Sequence, residues 1–154
     1  MNGMNECIKI EITKELVDKY TAHYFSLHPK AHKPPITGPT HPSINQWMIL
    51  QRQAMNTMKQ KWKDFSSWVV NYYGYNDYNI DCCRIEVTTF YGRKIRHDAD
   101  NYVPKFILDG FVDANLLVDD ADTNIRSLTL KCRYDKANPR TEILIYREQK
   151  EQEE

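Results

Sequence analysis

The sequence predicts an α/β chain of the mixed α+β kind: a single domain with a mixed β-sheet of about four strands packed with two main helices. Three observations predict it. Several short segments alternate apolar and polar residues at the two-residue period of a half-buried strand. One long stretch and one short one instead repeat apolar residues at three- and four-residue steps, the period of a helix. Strand-type and helix-type segments also interleave, an order that favours helices laid against a sheet.

Taken in order, Cys7 to Thr13 (CIKIEIT) alternates and reads as the first strand. Lys14 to Phe25 forms a short helix with Leu16, Val17, Tyr20 and Tyr24 on one side. The following SLHPKAHKPPITGPTHPS holds five of the seven prolines, so it reads as an extended surface loop. The principal helix opens at Ser43, where Ser43 and Gln46 match a capping box. Ile44, Met48, Met55, Met58, Trp62, Phe65, Val69 and Tyr72 continue it as one core stripe that only Gln51 interrupts, and Gly74 ends it. Ile80 to Tyr91 is the next strand, with Cys83, Ile85, Val87 and Thr89 on one face. Pro104 to Ala114 is helical, turning Phe106, Ile107, Phe111 and Val112 inward. Ile125 to Arg133 is a third strand, with Leu128 and Leu130 on one face. Asp135 to Pro139 is a turn by composition, after which Thr141 to Tyr146 closes the sheet as a hairpin partner. Residues 1–147 then make up the domain and 148–154 a frayed polar tail.

At 154 residues, with 41% hydrophobic and 27% charged residues, the chain suits one globular domain. It carries no apolar run long enough to span a membrane, and its first residues lack the pattern of a secretory signal, so a cytoplasmic protein without membrane contact is expected. Cys7, Cys82, Cys83 and Cys132 form no CxxC pair and read as reduced thiols. The net charge is zero but segregated: from Lys19 to Lys63 there is no Asp or Glu. Lys59, Lys61 and Lys63 fall in that stretch and are expected to form a basic face.

The acids gather instead between 98 and 122, where seven aspartates face one lysine, Lys105. Oxygen ligands that dense call for a cation, and Mg²⁺ is held by one or two carboxylates plus water and phosphate oxygens. In an extended segment Asp98 and Asp100 point the same way, and a helix can fold Asp120 back toward them. Three carboxylates of this kind suit a divalent metal that activates water at phosphorus, with Lys105 stabilising the developing charge. The preceding Arg93, Lys94 and Arg96 are placed to hold phosphates. Asp109, one turn after Lys105, is expected to pair with it on the helix surface.

The pattern HDADN…K…LDGF…DDAD, followed by a strand and DKANPRTEILIY, resembles the RusA family of Holliday-junction resolvases. The likeness covers residues 80–147, and Pro42-Ser43-Ile44-Asn45 resembles that family's Pro-Ser-x-Asn element. It implies a homodimer that cuts four-way DNA junctions in pairs with Mg²⁺ or Mn²⁺ and no organic cofactor. Asp98, Asp100 and Asp120 would be the metal-binding acids, Lys105 the catalytic lysine, and Asn45 and Asn101 DNA contacts. The chain departs from the pattern in three ways. Segment 14–42 is largely an insertion, the chain is neutral where a junction binder is basic, and Pro104 adds one residue between Asp100 and Lys105. One residue turns a helical position by about 100°, which a helix opening at Pro104 would absorb. Two other readings compete: a catalytically weak DNA-binding recombination-accessory protein on the same scaffold, and a zinc site at His28, His32 and His41.

Overall fold

The computed structural model describes residues 7–150. It is a single mixed α+β domain: a four-stranded mixed sheet with helices against its inner face. The elements are β1 (Cys7–Thr13), α1 (Lys14–Leu27), α2 (Ile44–Trp47), α3 (Arg52–Tyr73), β2 (Cys83–Tyr91), a 3-10 turn (Ala99–Tyr102), α4 (Lys105–Asp113), β3 (Ile125–Tyr134) and β4 (Arg140–Arg147). The sheet order is β1-β4-β2-β3; β4 runs antiparallel to both β1 and β2, and β3 runs parallel to β2. The segment joining β2 to β3 contains the 3-10 turn and α4, and it carries the acidic residues singled out above.

Alternation decides which sheet face is covered. Ile8, Ile10, Ile12, Ile85, Val87, Ile143 and Ile145 turn inward and are buried. The opposite face holds charges that pair across strands, with Lys9 Nζ 3.8 Å from Glu142 of β4 and Lys131 Nζ 3.7 Å from Glu86 of β2. At the β1 edge, the Tyr73 hydroxyl accepts from the Glu11 N–H at 3.1 Å and donates to the Glu11 carbonyl at 2.9 Å. It thereby occupies backbone groups that an edge strand leaves unpaired.

Helix α1 opens at Thr13, whose Oγ1 accepts from the Leu16 N–H at 3.2 Å. It buries Leu16, Val17 and Tyr20, the last packed on Phe65 and Trp68. The expected continuous helix from Ser43 is broken in two. α2 ends at Trp47, and α3 starts only at Arg52 with Gln51 as its extended N-cap. Gln46 Oε1 does accept from the Ser43 N–H, at 2.8 Å. The break separates two packing jobs, since Trp47 lies on Phe106 while Trp62, Phe65, Val69 and Val70 enter the core. Met48 therefore leaves the stripe and is 66% exposed, and Tyr72 is exposed at the other end. Gly74 ends α3 at φ 77°, a left-handed conformation that suits glycine.

Three further expectations are corrected. β4 is not the hairpin partner of β3, because β2 lies between them. The Asp135–Pro139 connection rounds the end of β2 instead: the Asp135 N–H donates to the Tyr91 carbonyl at 3.0 Å, and Gly92 lies where a Cβ would come within 2.9 Å of Pro139. The proline-rich segment is not merely superficial, since Pro35, Ile36 and His41 are buried and Thr141 Oγ1 donates to the Pro39 carbonyl at 2.7 Å. The start of the tail is tied down, with the Glu148 N–H on the Cys82 carbonyl at 2.9 Å and Lys150 Nζ 3.3 Å from Asp81. Residues 151–154 lie outside the described residues. The four cysteines are free thiols, and no helix among the described residues is long and apolar enough to cross a membrane.

Candidate active site

The segment after β2 is shaped by aromatic packing. His97 stacks on Tyr91 with ring centroids 3.8 Å apart, and its Nδ1 lies 2.7 Å from the Ile95 carbonyl. The turn between them closes on itself and leaves Arg93, Lys94 and Arg96 exposed. Asp98 follows, and its carbonyl accepts from the Asn101 N–H at 3.0 Å, which closes the 3-10 turn. That places Asp100 and the half-buried Asn101 on a short turn rather than in the extended segment expected from their spacing. Asp98 and Asp100 therefore do not follow the two-residue alternation of a strand. The Asp98 carboxylate lies 3.4 Å from Arg96 Nε.

Pro104 sits at the N-cap of α4, not within its first turn, so Lys105 is the first helical residue. The helix thus opens one residue later than the sequence suggests. The N-terminus of α4 is held from afar: His41 Nε2 accepts from the Phe106 N–H at 3.1 Å, while its Nδ1 meets the Pro42 carbonyl at 2.8 Å. His41 is 2% exposed, and burial pushes its pKa down to about 4 despite the hydrogen bond to Pro42. A neutral imidazole protonated on Nδ1 satisfies both contacts. Both ring nitrogens are thus occupied, and His28 stacks on Tyr24 with its Nδ1 on the Tyr24 carbonyl, so these histidines do not assemble the zinc site considered above.

Lys105 projects between two carboxylates. Its Nζ lies 3.3 Å from Asp120 Oδ2 and 3.6 Å from Asp109 Oδ1. Burial alone would lower its pKa, but the charges of Asp109 and Asp120 and their hydrogen bonds outweigh it and hold the ammonium above 10.5. At neutral pH Lys105 is therefore a fixed cation and no general base. Asp120 is held in place by the chain around it. The Val118 N–H donates to the Ile80 carbonyl at 3.0 Å, and Asp119 Oδ1 accepts from the Asp120 N–H at 2.8 Å. Buried Asn124 then fastens the loop to the start of β2 through Nδ2, 2.8 Å from the Asp81 carbonyl.

The acids have the hard anionic oxygens that Mg²⁺ prefers. Their arrangement is divided: Asp120 faces Lys105, and Asp98 faces Arg96. Among the described residues, no three His, Cys, Asp or Glu side chains group to hold a metal ion. Asp98, Asp100 and Asp120 thus do not meet as one group among the described residues, and Asp98 and Asp120 each face a basic side chain instead.

The other basic residues are also redistributed. Lys59 and Lys63 stand four apart on α3, whereas Lys61 lies about 200° around the helix from Lys59, so the three do not form one face. Lys63 Nζ lies 3.2 Å from Asp113 Oδ2 and ties α3 to α4. Asn45 is exposed on α2. His41, His97 and Asn124 were not read from sequence as parts of this architecture. Only His97, adjacent to the D-x-D pattern, carried a local signal. No protein-family model matches the chain, and no curated protein is significantly similar to it.

Proposed function

We propose that this chain is a metal-dependent, structure-selective endodeoxyribonuclease that resolves four-way DNA junctions by paired phosphodiester cleavage, as its resemblance to the RusA resolvases implies. The observation that carries the reading is the contact between Lys105 and Asp120. The first residue of α4 and a residue of the loop before β3, fifteen apart in sequence, meet at 3.3 Å, and both belong to the D-x-D-N…K…D-D pattern. A permanently charged ammonium in this position stabilises negative charge building on a phosphoryl oxygen without taking up a proton. Asp98, Asp100 and Asp120 are the carboxylates that would hold Mg²⁺ or Mn²⁺, which supplies an activated water and charge neutralisation at phosphorus. Exposed Arg93 and Lys94 would grip the backbone of the branched DNA, and Arg96 would exchange Asp98 for a phosphate. Two cuts on a two-fold substrate call for a homodimer.

A second reading is favoured by the pairing of Asp98 and Asp120 with different basic side chains: a catalytically weak DNA-binding accessory protein on the same scaffold. One experiment separates the two. The protein is incubated with a synthetic four-way junction in Mg²⁺ or Mn²⁺, beside an Asp100→Asn variant. Paired nicks that disappear in the variant support the nuclease. Tight binding with no cutting in either metal supports the accessory role and overturns the nuclease.

A further inference from the structure

A cleft of about 530 Å³ opens between the proline-rich segment, α3 and the 3-10 turn. Its volume falls in the range of small-ligand sites, roughly 300–1,000 Å³. Flat side chains form part of its walls, with Pro34 from the inserted segment, Trp62 from α3 and Tyr102 from the 3-10 turn. Hydrogen-bonding groups enter from Gln46 and Thr57. None of its lining residues is Asp or Glu, and Lys61 supplies positive charge. No carboxylate pairs with Lys61 among the described residues, in contrast to Lys63. A shallow groove along α3, lined by Arg52 and Gln60 and likewise free of acids, shares Thr57 and Lys61 with the cleft and so leads into it. Tyr102 stands two residues after Asp100, which puts the cleft beside the D-x-D segment.

We propose that this cleft receives one unpaired nucleotide of a DNA strand, its base stacked against Tyr102 and the facing wall and its phosphate held by Lys61. Planar walls suit a base of any identity, because each base offers a π-face for stacking. An acid-free approach with a cationic rim suits a phosphodiester. Gln46 uses its carbonyl on the Ser43 N–H, which leaves its amide N–H groups to donate to a base edge. The inserted segment thereby acquires a purpose: it builds the wall opposite α3, and His41 and the Thr141–Pro39 hydrogen bond hold it there. The proposal rests on the reading that branched DNA is the substrate, and it names the feature recognised, an unpaired nucleotide next to the cut.

The test uses the full chain in EDTA, so that binding is read without cleavage. A duplex carrying one unpaired thymidine is compared with the same duplex fully paired. The bulged duplex is expected to bind on the order of tenfold more tightly, the scale of one base–aromatic stack. Tyr102→Ala, Lys61→Ala and Thr57→Glu each abolish that preference, and Tyr102→Phe keeps it. Thr57 is exposed on α3, so its variant tests the cleft mouth even where the Tyr102 change disturbs folding. Equal affinity for the two duplexes, or a preference that survives both Lys61→Ala and Thr57→Glu, overturns the proposal. Junction cleavage in Mg²⁺ is scored separately. A protein that cuts junctions but ignores the bulge defeats the cleft assignment alone, and one that prefers the bulge but never cuts defeats the nuclease reading alone.

Discussion

Gly110 of α4 lies so close to Ser66 of α3 that a Cβ added to it would come within 2.5 Å of the Ser66 Cβ and 2.6 Å of the Lys63 carbonyl oxygen. The approach lets Ser66 Oγ donate to the Ile107 carbonyl at 2.6 Å, a buried bond between the two helices. This gives a physical reason for the glycine in the LDGF segment. Gly110→Ala improves intrinsic helix propensity by about 1 kcal/mol, but it also forces a side chain against backbone. Overpacking of that kind costs roughly 1–3 kcal/mol, and a backbone oxygen has little room to yield. Urea denaturation is expected to show net destabilisation. Adding Ser66→Gly should restore only part of the loss, because the Lys63 contact remains. A Gly110→Ala protein as stable as the parent would show that the helices are free to separate.

His41 predicts a pH dependence. Its folded pKa of about 4 lies below the ordinary 6.5, because burial disfavours the imidazolium. Between those values the unfolded chain binds the proton and the folded chain does not. The contribution is therefore complete above pH 6.5 and is lost as pH falls through that window toward 4. At about 1.4 kcal/mol per pH unit, the drop amounts to on the order of 3 kcal/mol. Protonation also removes the acceptor that caps α4 at Phe106. Denaturation midpoints measured from pH 7 to 4 should fall steeply in the parent. The difference between the parent and His41→Gln should shrink toward low pH, and parallel curves would refute the assignment.

Thiol reactivity offers a third check. Cys83 lies in the core, where burial first and neighbouring Cys82 second push its pKa to about 12, while Cys7 is exposed. The thiolate is the reactive form, so a thiol reagent at pH 8 should modify Cys7 rapidly. Cys82 and Cys83 should become reactive only on unfolding. Rapid native modification of Cys83 would contradict the packing of β2.

Strands β1 and β2 were legible because only one face of the sheet is covered, which imposes alternation on the sequence. The pairing of β4 was not. A short turn after β3 is compatible with a hairpin, and nothing local tells β4 that β2 will stand in between. The helix break was half legible: Gln51, the polar residue in an apolar stripe, proves to be the N-cap at which the helix restarts. Met48 sits in phase with the stripe, and only the tertiary position of Trp47 on Phe106 takes it out. His41 escaped because helix caps are sought next to the helix, and this one comes from 65 residues upstream. In the acidic region the residues were legible but their partners were not. Lys105 with Asp109 followed from helical spacing, whereas Asp98 with Arg96 depends on a turn shaped by the His97–Tyr91 stack.

The final prediction separates the roles of the groups around Lys105. Asp109 and Asp120 both contact its ammonium, yet they differ in origin. Asp109 is the i+4 neighbour on α4, and Asp120 arrives from the loop before β3. If Asp109 only steadies the lysine, Asp109→Asn should lower junction cleavage by less than about tenfold, since such helix pairs contribute a few tenths of a kcal/mol. If Lys105 and Asp120 act on the phosphoryl group, Lys105→Met and Asp120→Asn should each cost about a hundredfold or more, the scale of losing one electrostatic stabiliser. Stability should change little in either variant, because Lys105 is 54% and Asp120 31% exposed and exposed pairs contribute at most about 1 kcal/mol. The discriminating measurement is therefore the single-turnover cleavage rate set beside the denaturation midpoint for each variant. Rates that fall together with midpoints would make the Lys105–Asp120 contact a structural tie. Equal losses for Asp109→Asn and Asp120→Asn would remove the distinction between helix partner and active-site acid. A large rate loss at an unchanged midpoint, confined to Lys105 and Asp120, is the outcome that the placement of these side chains predicts.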